Sequence, residues 1–303
     1  MTRDWGSQDF YERLRALEKV VVLHSGFMTA VQRLRNVIDL FDNGAQPRHA
    51  LLLGESGTGK TWVARYLQKD SPEHEEGDYI VRPIIRVDTP SAPSIKSLAE
   101  SLLIALGDPI PDRGTTGAKR DRALLLIDAC KVKMIIFDEF QHFIDSGHSN
   151  SLQSVADWLK LFIDECGIPC VLMGLPRCAL ILSINEQLRR RFSTHLKLAP
   201  FSLDSQLEFD EFRVVLNEFD HALPGWMRAG FADPDLAKRM FYASNGLMGY
   251  VQKLVIGAFE LMHSEGRSAI DGDLLQRVFI RDVWNMAPNV LNPFHSKFAF
   301  RVL

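Results

Sequence analysis

Gly54-Glu55-Ser56-Gly57-Thr58-Gly59-Lys60-Thr61 is the stretch from which the fold of this chain can be read. It follows the pattern G-x-x-x-x-G-K-[ST] and stands between an apolar run, Ala50 to Leu53, and a helix-forming stretch, Trp62 to Gln68. Glycines let the backbone turn tightly, so that successive N–H groups face one concavity, and the following helix adds its positive N-terminal end. Such a nest suits a triphosphate. Lys60 would reach the β- and γ-phosphates as a point charge, and the Thr61 hydroxyl would hold Mg²⁺. The expected nucleotide-binding residues are Gly54, Glu55, Ser56, Gly57, Thr58, Gly59, Lys60, Thr61 and Trp62.

A second motif lies downstream at Met134-Ile135-Ile136-Phe137-Asp138-Glu139, an apolar strand ending in two carboxylates. A continuous hydrophobic run is how a buried parallel strand reads, and ligands in open α/β sheets sit at the carboxyl ends of strands. Asp138 is therefore expected at the magnesium, through water, because Mg²⁺ gives up its hydration shell reluctantly. Glu139 is the expected base, orienting the water that attacks the γ-phosphate, with Lys60 assisting by charge.

Composition excludes several classes. The chain has 303 residues, 46% hydrophobic and 24% charged, with a net charge of −3. These values are ordinary for a globular protein, and the apolar runs are too short for a membrane span. The N-terminus lacks a signal peptide's apolar region, so a cytoplasmic location is expected. Cys130, Cys166, Cys170 and Cys178 show neither zinc spacing nor a disulfide framework and read as core thiols. Asp138, His142, Asp145 and His148 are close in sequence, but a strand end running into a loop should scatter them rather than build a metal site. A nucleophilic-serine elbow fails because position 58 is Thr58, not glycine.

Element order gives the architecture. Phe27, Val31, Leu34, Ile38 and Phe41 form a helical stripe ahead of the phosphate loop. Beyond the loop helix, Tyr79 to Val87 reads as a strand near the sheet edge, since it contains Pro83. Helices follow at about Ile95 to Leu106 and Ala118 to Lys131, then the Asp-Glu strand, a helix from Ser151 to Glu165, and strands at Pro169 to Met173 and Leu196 to Leu198. Strands alternating with helices imply a parallel sheet with helices on both faces. From Asp204 only helical patterns remain, broken at Pro224, Gly225, Asn245-Gly246 and Gly266. The expected division is 1–48 as N-terminal lead-in, 49–202 as α/β nucleotide-binding domain, 203–284 as helical lid, and 285–303 as an extended arm that either docks or frays.

This arrangement resembles the AAA+ P-loop ATPases: an α/β domain with a parallel five-stranded sheet flanked by helices, followed by a small α-helical lid. Within them it resembles the TniB/TnsC group of transposition ATPases. The likeness rests on Gly54 to Thr61, on Phe-Asp-Glu-Phe-Gln-His-Phe at 137–143, on Met-Gly-Leu-Pro at 173–176, and on Arg-Arg-Arg-Phe at 189–192. The resemblance implies an ATPase using ATP and Mg²⁺ that assembles as a homo-oligomer, ring or helical filament, on double-stranded DNA. It further implies a role in transposition, marking target DNA and recruiting a DDE transposase and a TniQ-like targeting subunit. Replication initiation or helicase loading uses the same motifs, although no winged-helix pattern follows the lid. A scaffold that binds ATP without hydrolysing it would not need Glu139.

Arg191, with Arg190 second, is the expected arginine finger reaching a neighbour's γ-phosphate; a basic helix end answering its own dipole is the alternative. Two of the superfamily's polar sensors are absent or weak, since the first would fall near Gly174 and the second finds only Lys253, so slow hydrolysis is expected. A negative chain can still line a bore with a few cations per subunit, because phosphate contacts add across subunits. The expected DNA contacts are Lys96, Thr115, Thr116, Lys119 and Arg120, with Arg122 beside them, against the alternative of an ordinary solvated surface.

Overall fold

The computed structural model describes residues 7–21, 23–77, 79–146, 149–223 and 227–300. His148, Pro224 and Gly225, singled out above, lie outside them. Two compact units emerge: residues 25–55 with 59–199, and residues 1–24 with 56–58 and 200–303.

The first helix of the chain, α1 (Ser7–Glu18), belongs to the second of these units. The α/β unit opens on α2 (Ser25–Asp42), whose Phe27, Ala30, Val31, Leu34, Val37 and Ile38 are buried. It continues through β1 (His49–Gly54), α3 (Lys60–Asp70), β2 (His74–Glu76), β3 (Tyr79–Val81), β4 (Ile84–Asp88), α4 (Ile95–Leu106), α5 (Thr116–Ala129) and β5 (Met134–Asp138). After these come α6 (Gln141–Asp145), α7 (Ser149–Cys166), β6 (Cys170–Gly174), α8 (Leu180–Ile184), α9 (Glu186–Arg191) and β7 (Phe192–Leu198). Five strands form one parallel sheet in the order β4-β5-β6-β1-β7. Because every pairing is parallel, Gly54, Asp88, Asp138 and Gly174, each the last residue of its strand, come out on the same edge of the sheet.

Local chemistry explains the boundaries. Pro83 has no N–H to give a ladder, and it divides the expected strand 79–87 into β3, which pairs only with β2 in a small hairpin, and β4, which lies at the sheet edge. β2, the partner of β3 in that hairpin, was not expected from sequence. Ser94 and Ser97 cap the start of α4 reciprocally, and Gly107 ends it in the left-handed region. Thr115 caps α5 by accepting the Ala118 N–H. The main core lies on one face of the sheet, where Leu51, Ile135, Phe137 and Leu172 stand in register and pack with Leu102 of α4 and Leu159 and Phe162 of α7, all of them at most 1% exposed. Cys130, Cys170 and Cys178 are buried as free thiols, and Cys166 is half-buried.

The helical unit contains α1, α10 (Gln206–Ala222), α11 (Pro234–Ser244), α12 (Met248–Ser264) and α13 (Gly272–Val278), the last continuing into a π-helical turn, Phe279–Val283. Phe212, Phe219, Met240, Leu254, Phe259 and Leu274 centre its core. α1 contributes to it directly: Leu17 is fully buried, and Phe10 stacks on Phe259 at 5.4 Å. The segment after Trp284 folds back rather than extending. Buried Asn292 donates to the Gln276 carbonyl at 3.0 Å, Arg239 donates to the Pro293 carbonyl at 2.6 Å, and Phe298 and Phe300 each lie 5.7 Å from Tyr242. Among the described residues no helix is long and apolar enough to cross a membrane.

Candidate functional site

The phosphate-loop motif connects β1 to α3. Gly57 and Gly59 have φ of +81° and +98°, values that suit glycine alone, and nothing stands within 4 Å of the place a Cβ on Gly59 would take. Gly59 precedes the helix with no side chain capping its first N–H groups, which leaves them for an anion. Lys60 is almost wholly buried. Its ammonium donates to the carbonyls of Gly54 (2.8 Å) and Glu55 (2.9 Å), and burial lowers its pKa against the opposing pull of Glu139 and Asp138. Trp62 is half-buried, with the Arg65 guanidinium 5.1 Å from its ring centre.

Asp138 is completely buried at the end of β5. Its Oδ2 accepts from the Thr61 hydroxyl at 2.9 Å and from Arg86 at 3.2 Å, and its Oδ1 accepts the Glu139 N–H at 2.9 Å. Arg86 also holds Asp88 at 3.0 Å. The Thr61 hydroxyl and the Asp138 carboxylate therefore meet as an oxygen pair beside the loop. This is the donor set a magnesium–triphosphate takes, with phosphate and water oxygens completing the shell. Among the described residues no group of three or more His, Cys, Asp or Glu could hold a metal on its own. His142 turns aside to the Thr89 carbonyl at 2.9 Å, and Asp145 forks with Arg177 at 2.5 and 2.6 Å.

Glu139 sits in the left-handed region at φ +54°, an uncommon conformation for a non-glycine residue that turns its side chain out of the strand direction. Its carboxylate accepts from the Gln141 amide. Arg86 and Gln141 are site residues that sequence reading missed. The register Asp88↔Asp138 places β4 next to the Asp-Glu strand, and this pairing is what brings Arg86 there; the Gln in the 137–143 motif was the available signal for the other.

The arginines lie elsewhere. Arg191 ends α9 beside Phe192, which pairs with His49 at the start of β1, whereas the phosphate loop leaves the other end of β1. Six residues of strand separate the two ends, roughly 17 Å at ~3.3 Å per residue, further than an arginine side chain extends. Arg191 is forked onto Asp164 at 2.6 and 2.7 Å, while Arg190, its side chain 76% exposed, pairs with Glu186 one turn earlier in the same helix. Near Arg191, buried His49 accepts the Cys170 N–H through Nδ1, and burial first, then the Arg191 charge, depress its pKa to about 4.

The expected DNA contacts divide. Lys96 and Thr115 are exposed, Thr116 is half-buried, and half-buried Arg120 pairs with Asp121 (3.2 Å) and Glu165 (3.3 Å). Lys119 is a correction. It is 0% exposed, its ammonium held by the Pro111 carbonyl at 2.6 Å and Glu100 at 3.1 Å, so it cannot touch a phosphate backbone. Arg122 is likewise committed, to Asp108 at 2.5 Å and to the Ile110 and Arg113 carbonyls. In the helical unit Lys253 lies 5.4 Å from the Tyr250 ring centre.

No curated protein sequence matches the chain. Solved structures of similar fold include Aeropyrum pernix Orc1 in complex with DNA (18% identity, TM-score 0.68, covering 88% of this chain and 69% of that one). The Aeropyrum pernix Orc2 protein in ADPNP–ADP complexes is also similar (14%, TM-score 0.65, 90% and 72%), as is the Thermotoga maritima RuvB Holliday junction branch migration motor (12%, TM-score 0.50, 83% and 67%). At these identities the likeness establishes the fold, that of the AAA+ P-loop ATPases with a helical C-terminal part. The family model described as Bacterial TniB protein matches residues 13–202, and the chain therefore belongs to the TniB family of AAA+ ATPases.

Proposed function

We propose that this protein is an ATP-dependent, DNA-binding ATPase that oligomerises on duplex DNA and regulates transposition, marking target sites and recruiting a DDE transposase and a TniQ-like subunit. The observation that carries the nucleotide part is the junction of Lys60, Thr61, Asp138 and Glu139 at the carboxyl edge of the sheet, beside a glycine-built loop. The transposition part rests on family membership.

Magnesium, when bound, supplies charge neutralisation at the β- and γ-phosphates, and Thr61 and Asp138 are the residues that would hold it. The loop N–H groups bind the phosphates, and Lys60 exchanges its two backbone carbonyls for phosphate oxygens. Glu139 orients the attacking water and takes its proton. Positioning and charge carry most of the barrier reduction in phosphoryl transfer, so losing either carboxylate should be felt in turnover before affinity. Arg190 or Arg191 would serve a triphosphate held by another copy, since the length of β1 separates them from their own loop.

Assembly makes the nucleotide a switch: the ATP-bound form polymerises on DNA, and slow hydrolysis dismantles it. DNA contact falls to Lys96, Thr115, Thr116 and Arg120, as a sequence-independent surface acting in several copies. The test is ATP hydrolysis with and without duplex DNA, alongside DNA-bound assembly followed by electron microscopy. DNA-stimulated turnover that Glu139→Gln abolishes, with assembly retained, supports the reading. Rapid turnover indifferent to DNA, or DNA binding indifferent to nucleotide, contradicts it.

A further inference from the structure

Gln141 is 4% exposed, at the start of α6. Its amide is used at both ends. Nε2 donates to Glu139 Oε2, while Oε1 accepts the Leu175 N–H at 3.2 Å and the Cys178 thiol at 3.8 Å. Only one orientation of the amide satisfies these partners, because a carboxylate can only accept and a backbone N–H can only donate. Cys178 stays a donor, since burial pushes its thiol up to about 12.

The backbone around the amide is fitted to it. Gly174 ends β6, and a Cβ there would fall against Gln141 Oε1 and 2.5 Å from Cys178 Sγ. The absence of a side chain at Gly174 is therefore the space in which Gln141, the first residue of α6, is seated. Glu139, in turn, holds a left-handed conformation that turns its carboxylate toward that amide.

We propose that Gln141 is the positioning residue for Glu139. One end of its amide is anchored on the β6 terminus, and the other fixes one carboxylate oxygen so that the second oxygen meets the attacking water in a single orientation. Gln141 acts through Glu139 and touches no nucleotide. Fixing a base in this way raises turnover without changing affinity, and a misplacement of about 1 Å costs on the order of 10²-fold. The inference rests on the hydrolytic reading above, with Glu139 as base.

The experiment measures steady-state ATP hydrolysis, fluorescent-ATP affinity and thermal melting for wild type, Glu139→Gln, Gln141→Leu, Gln141→Glu and Gly174→Ala. Glu139→Gln is the control: if it hydrolyses ATP like wild type, the hydrolytic reading fails before Gln141 is judged. With that control inactive, Gln141→Leu should lower kcat by 10- to 100-fold with nucleotide Kd within about twofold of wild type. Gly174→Ala, whose Cβ would press on the Gln141 amide directly, should lower kcat in the same direction. Gln141→Glu replaces the donor facing Glu139 with an acceptor, so it too should lower kcat while nucleotide Kd stays within about twofold of wild type, a split that a purely structural side chain would not produce. Wild-type or faster turnover in Gln141→Leu overturns the proposal. So does wild-type turnover in Gln141→Glu, or a loss of turnover matched by an equal loss of nucleotide affinity.

Discussion

Lys119→Glu separates a surface that binds DNA from a surface that holds α5 to the rest of the α/β unit. In sequence, Lys119 stands among basic residues and hydroxyls at a helix start. In the fold its side chain is wholly enclosed, paired with Glu100 of α4 and with the Pro111 carbonyl. Reversing the charge places a carboxylate beside Glu100 and beside a carbonyl oxygen, with no donor for either. Breaking one partner of a buried pair costs about 3–5 kcal/mol. In a unit of this size 1 kcal/mol moves Tm by about 2–4 °C, so a fall of roughly 6–20 °C is expected. Arg120→Gln removes a half-exposed cation whose pairs contribute about 0–1 kcal/mol, and its Tm should stay within a few degrees of wild type. Circular dichroism melts at two salt concentrations measure both. A Lys119→Glu protein that melts like wild type, yet binds DNA weakly, would refute the burial argument and return Lys119 to the DNA surface.

Three further outcomes concern residues around the end of β1 opposite the phosphate loop. His49 is buried neutral with Nδ1 accepting the Cys170 N–H, and its pKa is depressed to about 4, below the ordinary 6.5; its contribution is therefore complete above pH 6.5 and is lost as pH falls toward 4. The loss is about 3 kcal/mol, so wild type should lose that much against His49→Asn between these pH values in denaturant titrations. Arg190→Ala should leave melting unchanged and cut DNA-stimulated turnover by on the order of 10³-fold if Arg190 serves a neighbour. Arg191→Ala should cost under about 1 kcal/mol through its half-exposed Asp164 pair, and mixing either variant with a Lys60→Ala chain should restore partial activity where the finger acts in trans.

The nucleotide motifs were legible because their chemistry is local: four consecutive apolar residues before Asp138 make a buried strand, and glycine spacing makes a loop. Pro83 likewise marked the sheet edge, though not that the strand would break there into β3 and β4. What sequence could not supply was which chain segments become neighbours. α1 is polar on most positions, and only the tertiary partner Phe259 reveals what Phe10 and Leu17 are for. In α5 three cations lie within four residues; Glu100, nineteen positions earlier, decides that Lys119 turns inward while Arg120 stays at the surface. Gly174 read as a missing sensor, because the glutamine that occupies the space comes from α6. Arg86 depended on strand register, which a one-residue slip would have reversed.

Equilibrium binding of ATP to the purified chain, by fluorescent-nucleotide titration with and without Mg²⁺ for wild type and Lys60→Ala, is the decisive measurement. Saturable binding that Mg²⁺ strengthens and that Lys60→Ala weakens by at least about tenfold, roughly the 1.4 kcal/mol a charge-assisted phosphate contact contributes, is the predicted result. No binding by wild type, or equal binding by both proteins, would contradict it.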